Sequence, residues 1–108
     1  MARVLVVDDD RTQRALLRRF LRNDGHEIEA AEDGVAALAV VQSTPVDVVV
    51  TDMRMPGMNG RELLRRLQEL DPSLPVIVMT AYSSIPSAVE ALKTGASDYL
   101  TKPLDFDL

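Results

Sequence analysis

Residues 46–60 read VDVVVTDMRMPGMNG, a run of β-branched residues followed by a loop. Val48, Val49 and Val50 form the centre of the run, which is the pattern of a strand buried on both faces. From Asp52 onward, Pro, Gly and Asn follow at close spacing, which is typical of a loop. Fully buried strands indicate a parallel sheet, and ligands of such sheets bind beyond the carboxyl ends of the strands. We therefore expect the chemistry of this protein near Asp52.

The same strand pattern recurs on both sides of this segment, with helical periodicity between the strands. Strands are predicted at 4–7, 26–30, 46–51, 75–79 and 98–101, and helices from 11 up to Gly25 and at 34–42, 61–70 and 86–94. On the first helix, one apolar side is predicted to comprise Ala15, Leu16, Phe20 and Leu21. Buried strands that alternate with helices predict an α/β fold, a doubly wound five-stranded parallel sheet with helices on both faces.

Length and composition limit the class of protein. The chain has 108 residues, of which 46% are hydrophobic, so residues 1–108 are expected to form a single domain with one core. The sequence has no Cys, which excludes disulfides and thiolate metal sites. No apolar run approaches the roughly 18 residues of a membrane span, so no membrane contact and a cytoplasmic location are expected. The formal net charge of −5 argues against nucleic acid as a direct partner.

Polar residues follow four of the five predicted strands. They are Asp8 and Asp9 after the first, Asp52 after the third, Thr80 after the fourth and Lys102 after the fifth. Parallel strands bring these ends to one edge of the sheet, where three carboxylates would meet. Two carboxylates about 4 Å apart repel each other by roughly 4 kcal/mol at an effective dielectric constant of about 20. A hard divalent cation is the natural compensation, and Mg²⁺ prefers carboxylate and phosphate oxygens.

A carboxylate beside Mg²⁺ and a lysine has the parts needed for phosphoryl transfer. Asp52 would act as the nucleophile and form an aspartyl phosphate. Lys102 would pair with one phosphoryl oxygen as a point charge, and Thr80 would donate its hydroxyl to another. The backbone N–H groups of Met53 and Ala81 are expected to bind the remaining negative charge.

Four motifs in this order resemble the response-regulator receiver family. They are VVDDD at 6–10, TDMRMPGMNG at 51–60, TAY at 80–82 and YLTKP at 99–103. Each motif alone is weak, but together they span nearly the whole chain. The resemblance implies a CheY-like fold with the strand order 2-1-3-4-5.

The resemblance also implies a role for each acidic residue. Asp52 would be the phosphoacceptor. Asp9, Asp52 and the backbone carbonyl of Arg54 would bind Mg²⁺ directly, and Asp8 would reach the ion through water. Thr80 and Lys102 would contact the phosphoryl group. Mg²⁺ is thus the only cofactor that the resemblance implies.

A further residue, Tyr99, would form the second half of a conformational switch. In receivers, the switch hydroxyl, here Thr80, moves toward the phosphoryl group, and the aromatic ring turns into the vacated space. This movement would repack the surface of the fourth helix, fifth strand and fifth helix, and dimerisation on phosphorylation is expected.

Residues 81–96 and 102–107 resemble a narrower subgroup, the NtrC-like receivers that regulate sigma-54-dependent transcription through further domains. A sensor histidine kinase is the expected partner. Four arginines at helical spacing, Arg11, Arg14, Arg18 and Arg22, form either its docking surface or a solvated stripe.

The sequence departs from the receiver pattern at its end. Receivers close with a fifth helix, whereas this chain reaches Leu108 where that helix would begin. The last helix is therefore expected to be absent or truncated, which would leave apolar surface uncovered and favour lower stability or self-association.

Some residues have interpretations that require no chemistry. Asp10 is predicted to cap the first helix, and Thr51 is predicted to pack inside its strand. Met53, Met55 and Met58 are predicted to pack the loop after Asp52.

Three other functions compete with the receiver. A phosphatase of the haloacid dehalogenase type would need an acid two residues after its nucleophile, where this chain has Arg54. An interaction module without chemistry would not need the intact polar set at the strand ends. Nucleotide binding would need a Gly-rich phosphate loop, which the sequence lacks.

Overall fold

A computed structural model describes residues 2–23, 25–53, 55, 57–80 and 98–101, with residues 80 and 98–101 described by their backbone. The strands are β1 Arg3–Val7, β2 Glu27–Ala31, β3 Val48–Asp52, β4 Val76–Thr80 and β5 Asp98–Thr101. The helices described are α1 Arg11–Asn23, α2 Gly34–Ser43 and α3 Gly60–Leu70. The first four predicted strands and the first three predicted helices are confirmed, with small differences at their ends.

The strands form one parallel sheet in the order β2-β1-β3-β4-β5. Val6 of β1 lies opposite Ala30 of β2 and Val50 of β3, and Val50 lies opposite Ile77 of β4. The predicted parallel α/β fold and the order 2-1-3-4 of its first four strands are confirmed. The long connections β1–α1–β2 and β2–α2–β3 supply the helices that cover the sheet.

Apolar side chains cover both faces of the sheet. On one face, Leu5 and Val49 pack with buried residues of α2 and α3. On the other face, Val6 and Val50 pack with Leu17 of α1. Successive residues of a strand point to opposite faces, so the unbroken Val and Leu runs supply both layers.

The inward side of α1 differs from the prediction. Leu17 is buried, and Phe20 and Leu21 are partly buried, whereas Ala15 is exposed and Leu16 is 47% exposed. Successive residues of a helix are separated by about 100°, so Leu16 and Leu17 cannot face the sheet equally. The prediction for Ala15 and Leu16 is wrong because Leu17, one position further, carries the contact with the sheet.

Side-chain caps begin the helices. Asp33 accepts a hydrogen bond from the backbone N–H of Ala36 at the start of α2, and Asn59 accepts one from Glu62 at the start of α3. Asp10 accepts hydrogen bonds from the backbone N–H groups of the second and third residues of α1. The predicted role of Asp10 as a helix cap is therefore confirmed.

Several predictions fall outside the described residues. They concern the helix at 86–94 and the last helix, which was expected to be absent or truncated. Among the described helices, none combines the length and apolar character that crossing a membrane requires.

Candidate functional site

The register of the sheet brings two acidic residues to the same level. Val7 is paired with Thr51, so the next residues, Asp8 and Asp52, meet at the carboxyl edge of the sheet. One carboxylate oxygen from each of Asp8, Asp9 and Asp52 lies within 4.8 Å of the others. We call these three residues the acidic triad. Asp8 is fully buried and Asp52 is 7% exposed, whereas Asp9 is open to solvent.

The turn after β1 is held by hydrogen bonds around Asp8. Its backbone N–H donates to the carbonyl oxygen of Ala31 at 3.2 Å, which extends the pairing with β2 by one residue. Its Oδ1 accepts the backbone N–H of Asp10 at 2.9 Å. Its carbonyl oxygen accepts Nη1 of Arg14 at 2.7 Å. The last contact was missed by sequence reasoning, which had placed Arg14 in an outward stripe.

The backbone around Asp52 is fixed by its neighbours. The hydroxyl of Thr51 donates to the carbonyl oxygen of Asp52 at 3.0 Å. The backbone N–H of Met53 donates to the carbonyl oxygen of Met79 at 2.8 Å. The Met53 N–H is therefore committed to the sheet, and its predicted role as a donor to the phosphoryl group is wrong. The carbonyl oxygen of Met53 in turn accepts the N–H of Gly60 at 2.9 Å.

Gly60 allows α3 to begin directly against the backbone of Asp52. A Cβ atom at Gly60 would lie 2.2 Å from the carbonyl oxygen of Asp52 and 2.7 Å from Cα of Met53. Both distances are far inside van der Waals contact, and both neighbours are backbone atoms that cannot rotate away. The requirement for Gly at this position is therefore steric.

Methionines pack the loop that follows Asp52 into the core. Met55 is buried, and Met53 and Met58 pack against the apolar layer of α2 and α3. The side chain of Met58 lies over Gly34, where a Cβ atom would come within 2.6 Å of Sδ. The predicted packing role of these methionines is confirmed.

The donor set of the acidic triad fits a hard divalent cation. All three groups offer carboxylate oxygen, the donor that Mg²⁺ prefers. With Mg–O distances of about 2.1 Å, two ligands on opposite sides of the ion are about 4.2 Å apart, close to the upper limit of 4.8 Å found here. The three acids would therefore hold one ion, directly or through water.

The other predicted site residues are described only in part. Thr80 ends β4 and is paired with Thr101 of β5, which Lys102 follows in the sequence. Tyr99 is paired with Val78 on the same two strands. The structure thus places the backbone of Thr80 and Tyr99 on neighbouring strands. Arg54 and Lys102 lie outside the described residues, as does the predicted N–H donor Ala81.

The arginines of α1 divide into two groups. Arg11, Arg18 and Arg22 are exposed, whereas Arg14 is half-buried and bonded to the backbone of Asp8. The predicted stripe therefore loses one of its four members to an internal contact.

The sequence of this chain identifies the kind of domain that it forms. The sequence pattern named "Response regulator receiver domain" matches residues 4–108. The chain belongs to the response regulator receiver family. The resemblance inferred from the four motifs is confirmed.

Known receivers are similar to this chain in both sequence and fold. The transcriptional regulatory protein ZraR of Escherichia coli K12 is 49% identical over 104 residues, which cover 96% of this chain and 24% of ZraR. The structure of the Vibrio cholerae chemotaxis protein CheY4 superposes with a TM-score of 0.92 at 35% identity, covering 99% of this chain and 91% of CheY4. The structure of NtrX from Brucella abortus gives 0.92 at 34% identity, with 98% and 24% covered. The chain spans about a quarter of the length of ZraR and NtrX.

Proposed function

We propose that this receiver is a phosphorylation switch in which Asp52 accepts a phosphoryl group with the help of Mg²⁺. The observation that carries the proposal is the convergence of the acidic triad, whose oxygens lie within 4.8 Å of one another at the end of two buried strands. Like charges so close are unfavourable for the isolated protein. The arrangement of the three carboxylates becomes favourable when a cation and a phosphoryl group bind to the site.

The reaction is a displacement at phosphorus. A carboxylate oxygen of Asp52 attacks the phosphorus of a donor such as acetyl phosphate, the bond from phosphorus to the acetate oxygen breaks, and acetate leaves with the electron pair. With a kinase, the leaving group is the imidazole nitrogen of phosphohistidine, which takes up a proton. Asp8, Asp9, Asp52 and the backbone carbonyl of Arg54 would hold Mg²⁺, which supplies positive charge for the phosphoryl oxygens.

Thr80, Lys102 and Tyr99 complete the switch in this proposal. Lys102 pairs with the phosphoryl group, Thr80 donates its hydroxyl to it, and Tyr99 follows the movement of Thr80. The pairing of β4 with β5 supports this arrangement, because it places Thr80 and Tyr99 two positions apart on neighbouring strands. The full strand order 2-1-3-4-5 of the receiver fold is part of the same proposal.

The partners follow from the charge of α1 and from the relatives. A sensor histidine kinase is proposed to dock on the exposed Arg11, Arg18 and Arg22, and phosphorylation is proposed to favour a homodimer. Since ZraR is named as a transcriptional regulatory protein, we propose that the chain controls transcription through domains beyond residues 1–108. The resemblance of residues 81–96 and 102–107 to NtrC-like receivers supports transcription of the sigma-54-dependent type, and a cytoplasmic location is part of the same proposal. In this proposal, the receiver is modified once per cycle and is not a turnover enzyme.

Labelling with acetyl phosphate in the presence of Mg²⁺ tests the proposal. Intact-mass measurement should show one added phosphoryl group on the wild-type chain and none on Asp52→Asn. Asp10→Asn is the matched control, because Asp10 lies in the same turn as the triad but caps α1, and Asn caps equally well. Unchanged labelling of Asp52→Asn would refute the proposal.

A second assay, phosphate release from a simple phosphate ester, separates the receiver from a phosphatase. Repeated release of phosphate from a simple phosphate ester, with many turnovers per chain, would indicate an enzyme of the haloacid dehalogenase type instead. A chain that takes no label and shows no change with beryllofluoride and Mg²⁺ would be an interaction module.

A further inference from the structure

Arg14 links the first turn of α1 to the backbone of the acidic triad. Its side chain is half-buried, and Nη1 donates to the carbonyl oxygen of Asp8 at 2.7 Å. This oxygen belongs to the peptide unit between Asp8 and Asp9, two members of the triad. Neither the receiver motifs nor the spacing of the arginines indicates this contact.

Holding that carbonyl also sets the orientation of Asp9. A peptide unit is planar, so the direction of the Asp8 carbonyl determines the direction in which the chain enters Cα of Asp9. Asp8 itself is restrained by Ala31 and by the N–H of Asp10. Asp9 is exposed and lacks the packing that holds Asp8 and Asp52, so its position depends more on its backbone.

We propose that Arg14 is a positioning residue for Mg²⁺, which keeps the Asp8–Asp9 peptide in the orientation that turns the Asp9 carboxylate toward its two partners. This inference rests on the proposed function, since it presumes that the triad binds Mg²⁺. It adds a role for a residue that touches neither the ion nor the phosphoryl group. Arg14 thereby differs from Arg11, Arg18 and Arg22, which remain available for a partner.

The charge of Arg14 and its hydrogen bond act on Mg²⁺ affinity in opposite directions. Removing a cation near the triad removes a repulsion toward the incoming ion, and this change alone would tighten binding. Removing the hydrogen bond frees the Asp8–Asp9 peptide, and this change alone would weaken binding. The sign of the measured change therefore distinguishes positioning from simple electrostatics.

The test measures Mg²⁺ binding to the unphosphorylated chain by isothermal titration calorimetry. Changes to groups that hold metal ligands in place typically cost about 10- to 100-fold in affinity, and the lost repulsion offsets part of this, so Arg14→Ala should bind about three- to tenfold more weakly. Arg14→Lys keeps the charge and one donor and should recover part of the affinity. Arg19→Ala is the matched control, because it removes an exposed arginine from the same helix and should bind as the wild type does.

Urea unfolding with and without MgCl₂ keeps the test valid if Arg14→Ala is less stable. A purely structural role would lower stability equally in both conditions, whereas positioning reduces the increment that Mg²⁺ adds. Equal or tighter binding by Arg14→Ala, with wild-type Mg²⁺ binding and Asp52 labelling intact, would overturn this inference alone. Absence of Mg²⁺ binding in the wild type would overturn the metal requirement of the proposed function and this inference with it.

Discussion

Acidic side chains at the carboxyl edge of the sheet and on the outer face of α3 have opposite surroundings. On α3, Glu62 lies 2.7 Å from Arg65 and 3.1 Å from Arg66, and hydrogen bonds from these guanidinium groups lower the pKa of Glu62 to about 2. At the carboxyl edge, by contrast, Asp8 and Asp52 are buried beside each other and beside Asp9. Charge alternates along α3, whereas the three carboxylates of the acidic triad carry the same sign.

The ion pairs on α3 stabilise the helix itself, whereas the acidic triad is arranged to bind a ligand. The pairs on α3 are exposed and screened by solvent, so they add little and require nothing from outside the chain. The mutual repulsion of the three carboxylates in the acidic triad opposes folding, and a bound cation would offset this repulsion. Crowded like charges inside a fold therefore indicate function more strongly than any ion pair on its surface.

The largest effect is expected at Gly60, where α3 begins against the backbone of Asp52. Gly60→Ala places a methyl group 2.2 Å from the carbonyl oxygen of Asp52 and should destabilise the protein by about 3 kcal/mol, because either α3 or the Asp52 backbone must shift. Urea unfolding measures the loss, and acetyl phosphate labelling should fall as well. Gly57→Ala is the control, since Gly57 has φ +74 and nothing within 4 Å, so only a backbone cost of about 1 kcal/mol is expected. Equal losses of stability for the two variants would show that the close contact of Gly60 with the backbone of Asp52 does not couple α3 to the carboxyl edge of the sheet.

A smaller effect of opposite sign is expected within the triad. Asp8→Asn keeps the side-chain oxygen that accepts the N–H of Asp10 but removes one charge, so the metal-free protein should become more stable by about 1–3 kcal/mol. The gain should shrink or reverse at saturating Mg²⁺, because the wild type then gains more from the ion. Unfolding curves with and without MgCl₂ measure both effects. A loss of stability for Asp8→Asn in metal-free buffer would show that the triad carboxylates do not repel one another, and the contrast with the ion pairs on α3 would then be wrong.

The smallest effect is expected on α3 and depends on pH. The pKa of Glu62 is lower in the folded protein than its usual value of 4.5, so ionised Glu62 contributes stability that is complete above about pH 4.5 and lost as the pH falls toward about 2. Glu62→Gln should therefore be slightly less stable than the wild type at pH 7, with the difference fading in acid and in high salt. A difference that grows in acid would contradict the assignment.

Much of the site could be predicted because strand ends can be recognised in the sequence. The Val runs before Asp8 and Asp52 identify buried parallel strands, and the carboxyl ends of such strands meet at one edge. The convergence of the triad therefore follows from pattern alone. The same reasoning found the cap at Asp10, because a short acidic side chain before a helix satisfies its first N–H groups.

Other features depend on information that residue types do not contain. Leu16 and Leu17 are equally apolar, so only the docking angle of α1 determines which is buried. The N–H of Met53 is used by Met79, which depends on the register of β3 against β4. The long side chain of Arg14 can point outward or back to the preceding turn, and helical spacing alone does not distinguish the two.

The exposure of Asp9 has a kinetic meaning. Two members of the triad are closed off by the core, but the third opens to solvent, so one side of the site is accessible without any opening of the sheet. An ion from solution would exchange at this open side faster than the protein unfolds. The fraction of the acidic triad that is occupied would therefore follow the free concentration of the ion. In the unphosphorylated protein, a bound metal ion would thus exchange rapidly with solvent and would not be a permanent part of the fold.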